Sequence, residues 1–414
     1  MSGVTHVVGA GLAGLSCAIK LAQSGKRVAL YEAARMAGGR CRSYFDPALE
    51  LTIDNGNHLL LSGNKAAYDY LRRIGAGDAL IGPKDCAFDF LDLPSGLRWR
   101  LAPNASRVPW WIFAPARRVP GTKPLDYLGA ANLLRAKKDA TIGETMDCSG
   151  LLYERLWGPV LLSALNTEPK DASATLAGAV LRETLAAGGA ACRPMVAKDG
   201  LGPAFVEPAL RTLQAQGVAP RFGARLRGIG FDGDAVARLD FGEDSVALNE
   251  GDGLVLAVPP WAAAELVPGL TTPNDFRAIL NAHFKIAPPK GQPPLVGLVG
   301  ALSEWLFAFD DRLSVTISGA DRLMEASREE LAQRIWTEVA HATGLAGETP
   351  PWQIVKEKRA TFAATPEQER RRPGAKTGWR NLLLAGDWTA TGLPATIEGA
   401  IRSGFRAAEM AAVL

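Results

Sequence analysis

Long hydrophobic runs are missing from this chain of 414 residues. Prolines and charges break every candidate before it reaches the roughly 18 apolar residues that a membrane-spanning helix needs. No basic stretch followed by an apolar core opens the chain, and a strand-like run begins almost at once. Cysteine is scarce: Cys17, Cys41, Cys86, Cys148 and Cys192 are scattered, with no C-x-x-C pair. That spacing argues against a disulfide frame or a zinc site and suits a reducing compartment. The four histidines (His6, His58, His283, His341) lack metal-ligand spacing, so no metal is expected. Charge of one sign is not in excess: 46 Lys and Arg against 43 Asp and Glu leave +3, too mild for a nucleic-acid surface. No internal repeat or low-complexity segment is apparent. These absences predict a cytoplasmic protein with core enough for two or three domains.

What is present is concentrated in the first forty residues. Thr5-His6-Val7-Val8 runs into Gly9-Ala10-Gly11-Leu12-Ala13-Gly14, and apolar residues then recur at helical spacing (Leu12, Leu15, Ile19, Ala22). A second short strand, Arg27 to Tyr31, closes on Glu32. This is the pattern of a dinucleotide-binding βαβ unit. The first glycine makes a tight turn, the second lets backbone N–H groups approach a pyrophosphate, and the third lets helix and strand pack closely. The helix N-terminus adds partial positive charge there. Glu32 is placed to accept hydrogen bonds from a ribose diol, which disfavours a 2′-phosphate and leaves NAD or FAD.

The next turn separates them. Ala33 to Ala37 lead to Gly38-Gly39-Arg40, which brings more backbone to the pyrophosphate and adds a guanidinium able to pair with it. Near the other end, Asn381 to Ala385 read as a buried strand ending in Gly386-Asp387, and Thr396-Ile397-Glu398-Gly399 open a final helix. In these features the chain resembles the FAD-binding superfamily of amine oxidases, protoporphyrinogen oxidases and phytoene desaturases. The resemblance implies an α/β fold. A discontinuous Rossmann-like FAD-binding domain (1–85, 201–261, 376–414) would carry an inserted α+β substrate domain (86–200, 262–375). It also implies a role for Asp387 at the ribityl or pyrophosphate part of FAD. The helix opening at Thr396 and Ile397 would face the flavin O2 edge, where reduced flavin is negative, and Leu226 would lie beside the adenine. The expected cofactor set is thus Gly9, Gly11, Leu12, Ala13, Gly14, Glu32, Ala33, Gly38, Gly39, Arg40, Asn57, His58, Leu226, Gly386, Asp387, Thr396 and Ile397. No second GxGxxG unit is present for a resident NAD(P)H, so the reductant either visits the flavin or is another protein.

Two stretches bear on the chemistry. Asp54-Asn55-Gly56-Asn57-His58 is a polar turn of the kind that passes over the isoalloxazine in that superfamily; His58 reads either as a structural histidine or as a contact to cofactor or substrate. Ala278 to Lys285 alternates in strand fashion and sets Asn281, His283 and Lys285 on one face, either near the flavin or half exposed in solvent. Amine oxidases hold a lysine on such a strand near N5, and Lys285 is not a clean match. Elsewhere, Trp110, Trp111, Phe113, Arg117 and Arg118 fall within ten residues, which suits either a membrane interface or a domain core. Arg370-Arg371-Arg372 reads as a solvated loop, with lipid headgroup contact as the lesser alternative.

Further motifs lie mainly in the inserts: the stretch Asp54 to Asn64, Val108-Pro109-Trp110-Trp111-Ile112, Ala164-Leu165-Asn166-Thr167, Asn281-Ala282-His283-Phe284, Glu357 to Ala363, and Leu393 to Ala400. In these the chain is similar to the hydroxysqualene dehydroxylases, squalene-associated FAD enzymes of bacterial hopanoid synthesis. That likeness implies a reductive reaction: hydride from flavin N5 to an allylic carbon as its hydroxyl leaves as water. His58 or His283 would supply or relay the proton, and Asn281 would orient the hydroxyl. It also implies a long apolar isoprenoid substrate reached from the inner face of the cytoplasmic membrane. Alternative activities are a carotenoid or phytoene desaturase and a flavin amine oxidase; a flavoprotein-fold binding protein without turnover is a third reading.

Overall fold

The computed structural model describes residues 3–413. Its first layer is a five-stranded parallel sheet with Val4–Val8 at the centre. Arg27–Glu32 and then Arg221–Phe222 lie on one side; Gly253–Leu256 and then Leu382–Leu384 lie on the other. Gly253–Leu256 and Leu382–Leu384 are buried at every position, as strands covered on both faces must be. Helices Leu12–Gln23 and Ile397–Ala411 pack together on one face, joining Leu15, Ile19, Ile401 and Ala408 in one apolar cluster. Both ends of the chain thereby build a single layer.

The second layer is a seven-stranded sheet in the order Trp352–Phe362, Phe276–Phe284, Leu313–Ile317, Trp305–Ala308, Leu295–Val299, Phe88–Asp92, Leu97–Leu101. Only the pairing of Leu295–Val299 with Phe88–Asp92 is parallel. Alternation gives it two faces. Leu280, Ala282, Phe284, Leu306 and Val315 pack with Leu331, Ile335 and Val339 of helix Arg328–Thr343. On the other side Phe90, Trp99, Trp305 and Phe307 share a cluster with Trp111, Tyr127, Trp157 and Leu161 of a mainly helical segment. The strand Pro194–Ala197, inside a stretch expected in the substrate domain, instead pairs with Leu60–Leu61 and Leu80–Ile81 of the first segment. Helix Arg328–Thr343 starts at Ser327, whose side chain accepts Glu330 N–H, and ends at Gly344 in the left-handed conformation.

Candidate functional site

The glycine turn leaves its strand at Gly9, whose φ of +107° is a left-handed backbone that only glycine adopts freely. A Cβ on Gly9 would lie 2.4 Å from the Ala257 carbonyl oxygen, and one on Gly14 would lie 1.8 Å from that of Gly9. Gly11 differs: a Cβ there would meet nothing within 4 Å, because its face is open. Leu12 and Ala13 turn their side chains into the core, so they can offer a ligand only the unpaired N–H groups of a first helical turn. Gly38 N–H donates to Ala10 O at 2.8 Å, folding the second glycine pair over the first. Glu32 ends its strand with both carboxylate oxygens on backbone N–H groups, Ala10 at 2.7 Å and Ala34 at 2.8 Å. Ala33 is exposed beside it. Ala224 N–H donates to Glu32 O, running the chain back along this edge to the buried Leu226.

The C-terminal half meets this cradle through Asp387. Arg40 Nη2 donates to both its carboxylate oxygens, at 2.8 and 2.7 Å, and Arg40 Nη1 donates to Ala360 O. Nε and one Nη1 hydrogen of Arg40 remain for a ligand. Arg372 corrects the expectation of a solvated loop. Its guanidinium is fully buried and donates to the carbonyl oxygens of Asp387 (3.1 Å) and Thr389, to Thr391 Oγ1 (2.9 Å) and to Glu369 (2.6 Å). It ties down the loop after Gly386, while Gly386 N–H donates to Ser403 Oγ at 2.8 Å. Thr396 caps the last helix by accepting Gly399 N–H at 3.0 Å, leaving Ile397 at its first position. One residue on, buried Glu398 accepts the N–H groups of Ala66 and Ala67 and binds Arg402, which also pairs with Glu183 of the helical segment.

The polar turn 54–58 lies against the seven-stranded sheet. Asn281 Oδ1 accepts from Thr316 Oγ1 (2.7 Å) and Asn57 N (3.3 Å), and Asn57 Nδ2 donates to Thr316 Oγ1 (3.2 Å). Asn55 Nδ2 donates to Glu357 Oε2 at 3.2 Å. Asn281 thus spends its amide on the turn and faces no open space, which differs from its expected place at a substrate hydroxyl. His283 is wholly buried, with Nδ1 at 2.8 Å from Ser314 Oγ; burial first and then Arg312 push its pKa down to about 3. The same face is therefore covered by protein, not solvent, and only Lys285 reaches the surface, where it pairs with Glu50. His58 is different again. It lines a small recess with Asp54, Asn57, Leu201 and Phe307, and burial, followed by Arg40, lowers its pKa to about 4.

Of the aromatic segment, Trp110 and Phe113 are exposed, with Arg117 4.7 Å over the Trp110 ring. Trp111 is not available to a membrane: it is only 6 % exposed and sits edge-on to Tyr127 at 5.2 Å. Adjacent residues in a tight helical turn point to different sides, so one indole enters the core as the other leaves it.

The family model "Flavin containing amine oxidoreductase" matches residues 12–411. The chain is 57 % identical over 411 residues to a hydroxysqualene dehydroxylase of Rhodopseudomonas palustris, covering 99 % of this chain and 98 % of that one. It is 54 % identical to one of Sinorhizobium fredii (98 % and 97 % covered) and 47 % to one of Zymomonas mobilis (99 % of each). The chain belongs to the flavin-containing amine oxidoreductase family, in its hydroxysqualene dehydroxylase branch. Among solved structures, cyclohexylamine oxidase from Brevibacterium oxydans aligns with TM-score 0.72 at 16 % identity, over 100 % of this chain and 99 % of that one. An oxidoreductase from Methanosarcina mazei aligns with TM-score 0.74 at 13 % identity, over 98 % and 100 %.

The chain is thus an FAD-dependent oxidoreductase. Its residues fit that cofactor. Gly11 leaves open space for a ligand, while Arg40 has spare donors and the buried Asn57 Oδ1 has no partner among the described residues. Sequence reasoning gave Arg372 no structural role and assigned none to Glu398 or Thr316. A buried arginine inside a basic triplet carries no local sign of its burial.

Proposed function

We propose that this chain converts hydroxysqualene to squalene by reductive dehydroxylation, within hopanoid or other triterpene synthesis. The observation that carries the reading is that His58 shares its recess with Phe307, a member of the aromatic cluster formed with Phe90, Trp99, Trp157 and Trp305. A polar edge of His58, Asn57 and Asp54 beside an aromatic cluster suits a polyene with one hydroxyl, since aromatic faces tolerate developing allylic cation character. The near-full-length relatives bearing the dehydroxylase name support the same substrate class.

When bound and reduced, FAD supplies hydride to the allylic carbon. Gly9 to Gly14, Gly38, Gly39 and Arg40 are assigned to its pyrophosphate, Glu32 and Ala33 to the adenosine ribose, and Leu226 to the adenine side. Gly386, Asp387, Thr396 and Ile397 are assigned to the ribityl and flavin end, and Asn57 and His58 to the ring. The C–O bond breaks with its electron pair on oxygen, and a proton makes the departing hydroxide into water. His58, kept neutral by burial and Arg40, is the group assigned to relay that proton: one ring nitrogen gives its hydrogen to the departing oxygen as the other takes one from solvent, so the ring ends neutral. Asn281 and His283 position the turn that carries His58. Exposed Trp110 and Phe113, with Arg117 and Arg118, are assigned to contact with the inner face of the cytoplasmic membrane. No helix among the described residues is long and apolar enough to cross one.

Anaerobic incubation of the purified flavoprotein with dithionite and hydroxysqualene, followed by gas chromatography, is expected to yield squalene. Formation of a desaturated polyene from a saturated precursor, or amine-dependent peroxide release, with no squalene from hydroxysqualene would overturn the reading.

A further inference from the structure

Eleven large hydrophobic side chains are exposed among the described residues, and six of them (Val108, Trp110, Phe113, Leu125, Leu128, Leu151) fall between positions 108 and 151. Three are among the most exposed: Leu125 at 75 %, Val108 at 71 % and Phe113 at 69 %. Monomeric proteins seldom leave such a concentration uncovered without a use for it.

The 3₁₀ run Pro124–Arg135 explains how the surface is built. Side chains three apart eclipse one another in a 3₁₀ helix, so the run divides into three stripes. Tyr127, Ala130 and Leu133 are buried; Asp126, Asn132 and Arg135 make a polar stripe; Leu125, Leu128 and Ala131 form an apolar stripe that faces outward. The run packs on the turn Trp110–Phe113, and Leu151 lies against Gly121 just before it. Residues 105–140 hold seven basic side chains and two acidic ones, in a chain whose whole net charge is +3. Arg107, Lys123, Lys137 and Lys138 among them are exposed.

We propose that this outward stripe, with Val108, Trp110 and Phe113, inserts into the interfacial layer of an anionic bilayer while the surrounding lysines and arginines meet lipid phosphate. Apolar side chains ringed by cations match the headgroup boundary, whereas a protein partner would need acidic complements instead. The inward stripe of the same run belongs to the cluster holding Phe90, Trp99 and Trp305. One helix therefore stands between the bilayer face and the aromatic cluster that the proposed function assigns to the substrate side. The substrate part of this inference rests on the proposed dehydroxylation; the bilayer contact does not.

The test is vesicle flotation of the FAD-loaded protein. It is expected to rise with vesicles of phosphatidylcholine plus phosphatidylglycerol and much less with phosphatidylcholine alone. L125S/L128S should lower binding by about tenfold or more, and K137E/K138E should lower it and blunt its salt dependence. Both pairs are exposed, and turnover of detergent-dispersed substrate should be unchanged in both variants. No flotation with anionic vesicles, or binding indifferent to both double substitutions, would overturn the contact. Intact flotation without any squalene formation would instead sink the proposed function and leave the contact standing.

Discussion

Arg40 and Asp387, 347 positions apart, are joined through both carboxylate oxygens at 2.8 and 2.7 Å. The pair locks the second glycine turn to the loop that follows the last parallel strand. It also holds a guanidinium whose remaining hydrogens meet no acceptor among the described residues. D387N should weaken FAD binding by about tenfold or more, because a charge-assisted fork becomes a neutral contact. Equilibrium dialysis against FAD checks this, and R40K should not rescue the fork. Unchanged affinity in both variants would remove the pair from the cofactor site.

Gly11 offers a cleaner separation of folding from binding. Its φ of −73° is open to any residue, and a Cβ meets no protein atom within 4 Å. G11A should therefore leave the apoprotein melting temperature within a degree or two yet lower FAD affinity by about tenfold or more, since the methyl would fill the space assigned to the pyrophosphate. G14A, with its Cβ driven into the Gly9 carbonyl, should instead lose stability before any cofactor is added.

Arg372 should behave as a structural cation. Replacing it by Met leaves Glu369 unpaired and frees the carbonyl oxygens of Asp387 and Thr389. A loss of about 3 kcal/mol in urea unfolding is expected, together with weaker FAD retention. A solvated loop residue would give less than about 0.5 kcal/mol.

Histidines whose charged form is disfavoured by burial set an acid limit. Three of them, His6, His58 and His283, lie below the ordinary histidine value of 6.5, His58 at about 4 and His283 at about 3. Between those values and 6.5 the unfolded chain binds protons that the native chain refuses, so stability is complete above 6.5 and falls as pH drops. Melting temperature measured from pH 7.5 to 4.5 should decline, and H283N should flatten the decline while lowering stability at neutral pH. H58A should cut turnover by about 100-fold or more with FAD still bound, whereas H283A should act mainly through stability. Equal turnover in H58A and the parent would end the role assigned to His58.

Legibility in the sequence followed the range of the interaction. The glycine turn, the helix that follows it and Glu32 are encoded by residues within a few turns of one another, so periodicity and spacing expose them. Asn281 and His283 were legible as one strand face, but not as a face sealed by a turn more than 220 positions upstream. Trp110 and Trp111 look alike in sequence; only packing against Tyr127 separates the exposed ring from the core ring.

The N-terminal residues by themselves determined the strand, glycine turn, helix and acid that a dinucleotide-binding unit requires. Steric limits on backbone at Gly9 and the carboxylate of Glu32 act locally, and no distant contact is needed to read them. The meeting of Arg40 with Asp387, the burial of Arg372 and the outward turn of Leu125 and Leu128 were decided by the tertiary structure alone. Each depends on which surface of a distant segment covers a side chain, and burial of that kind leaves no periodic mark in the chain.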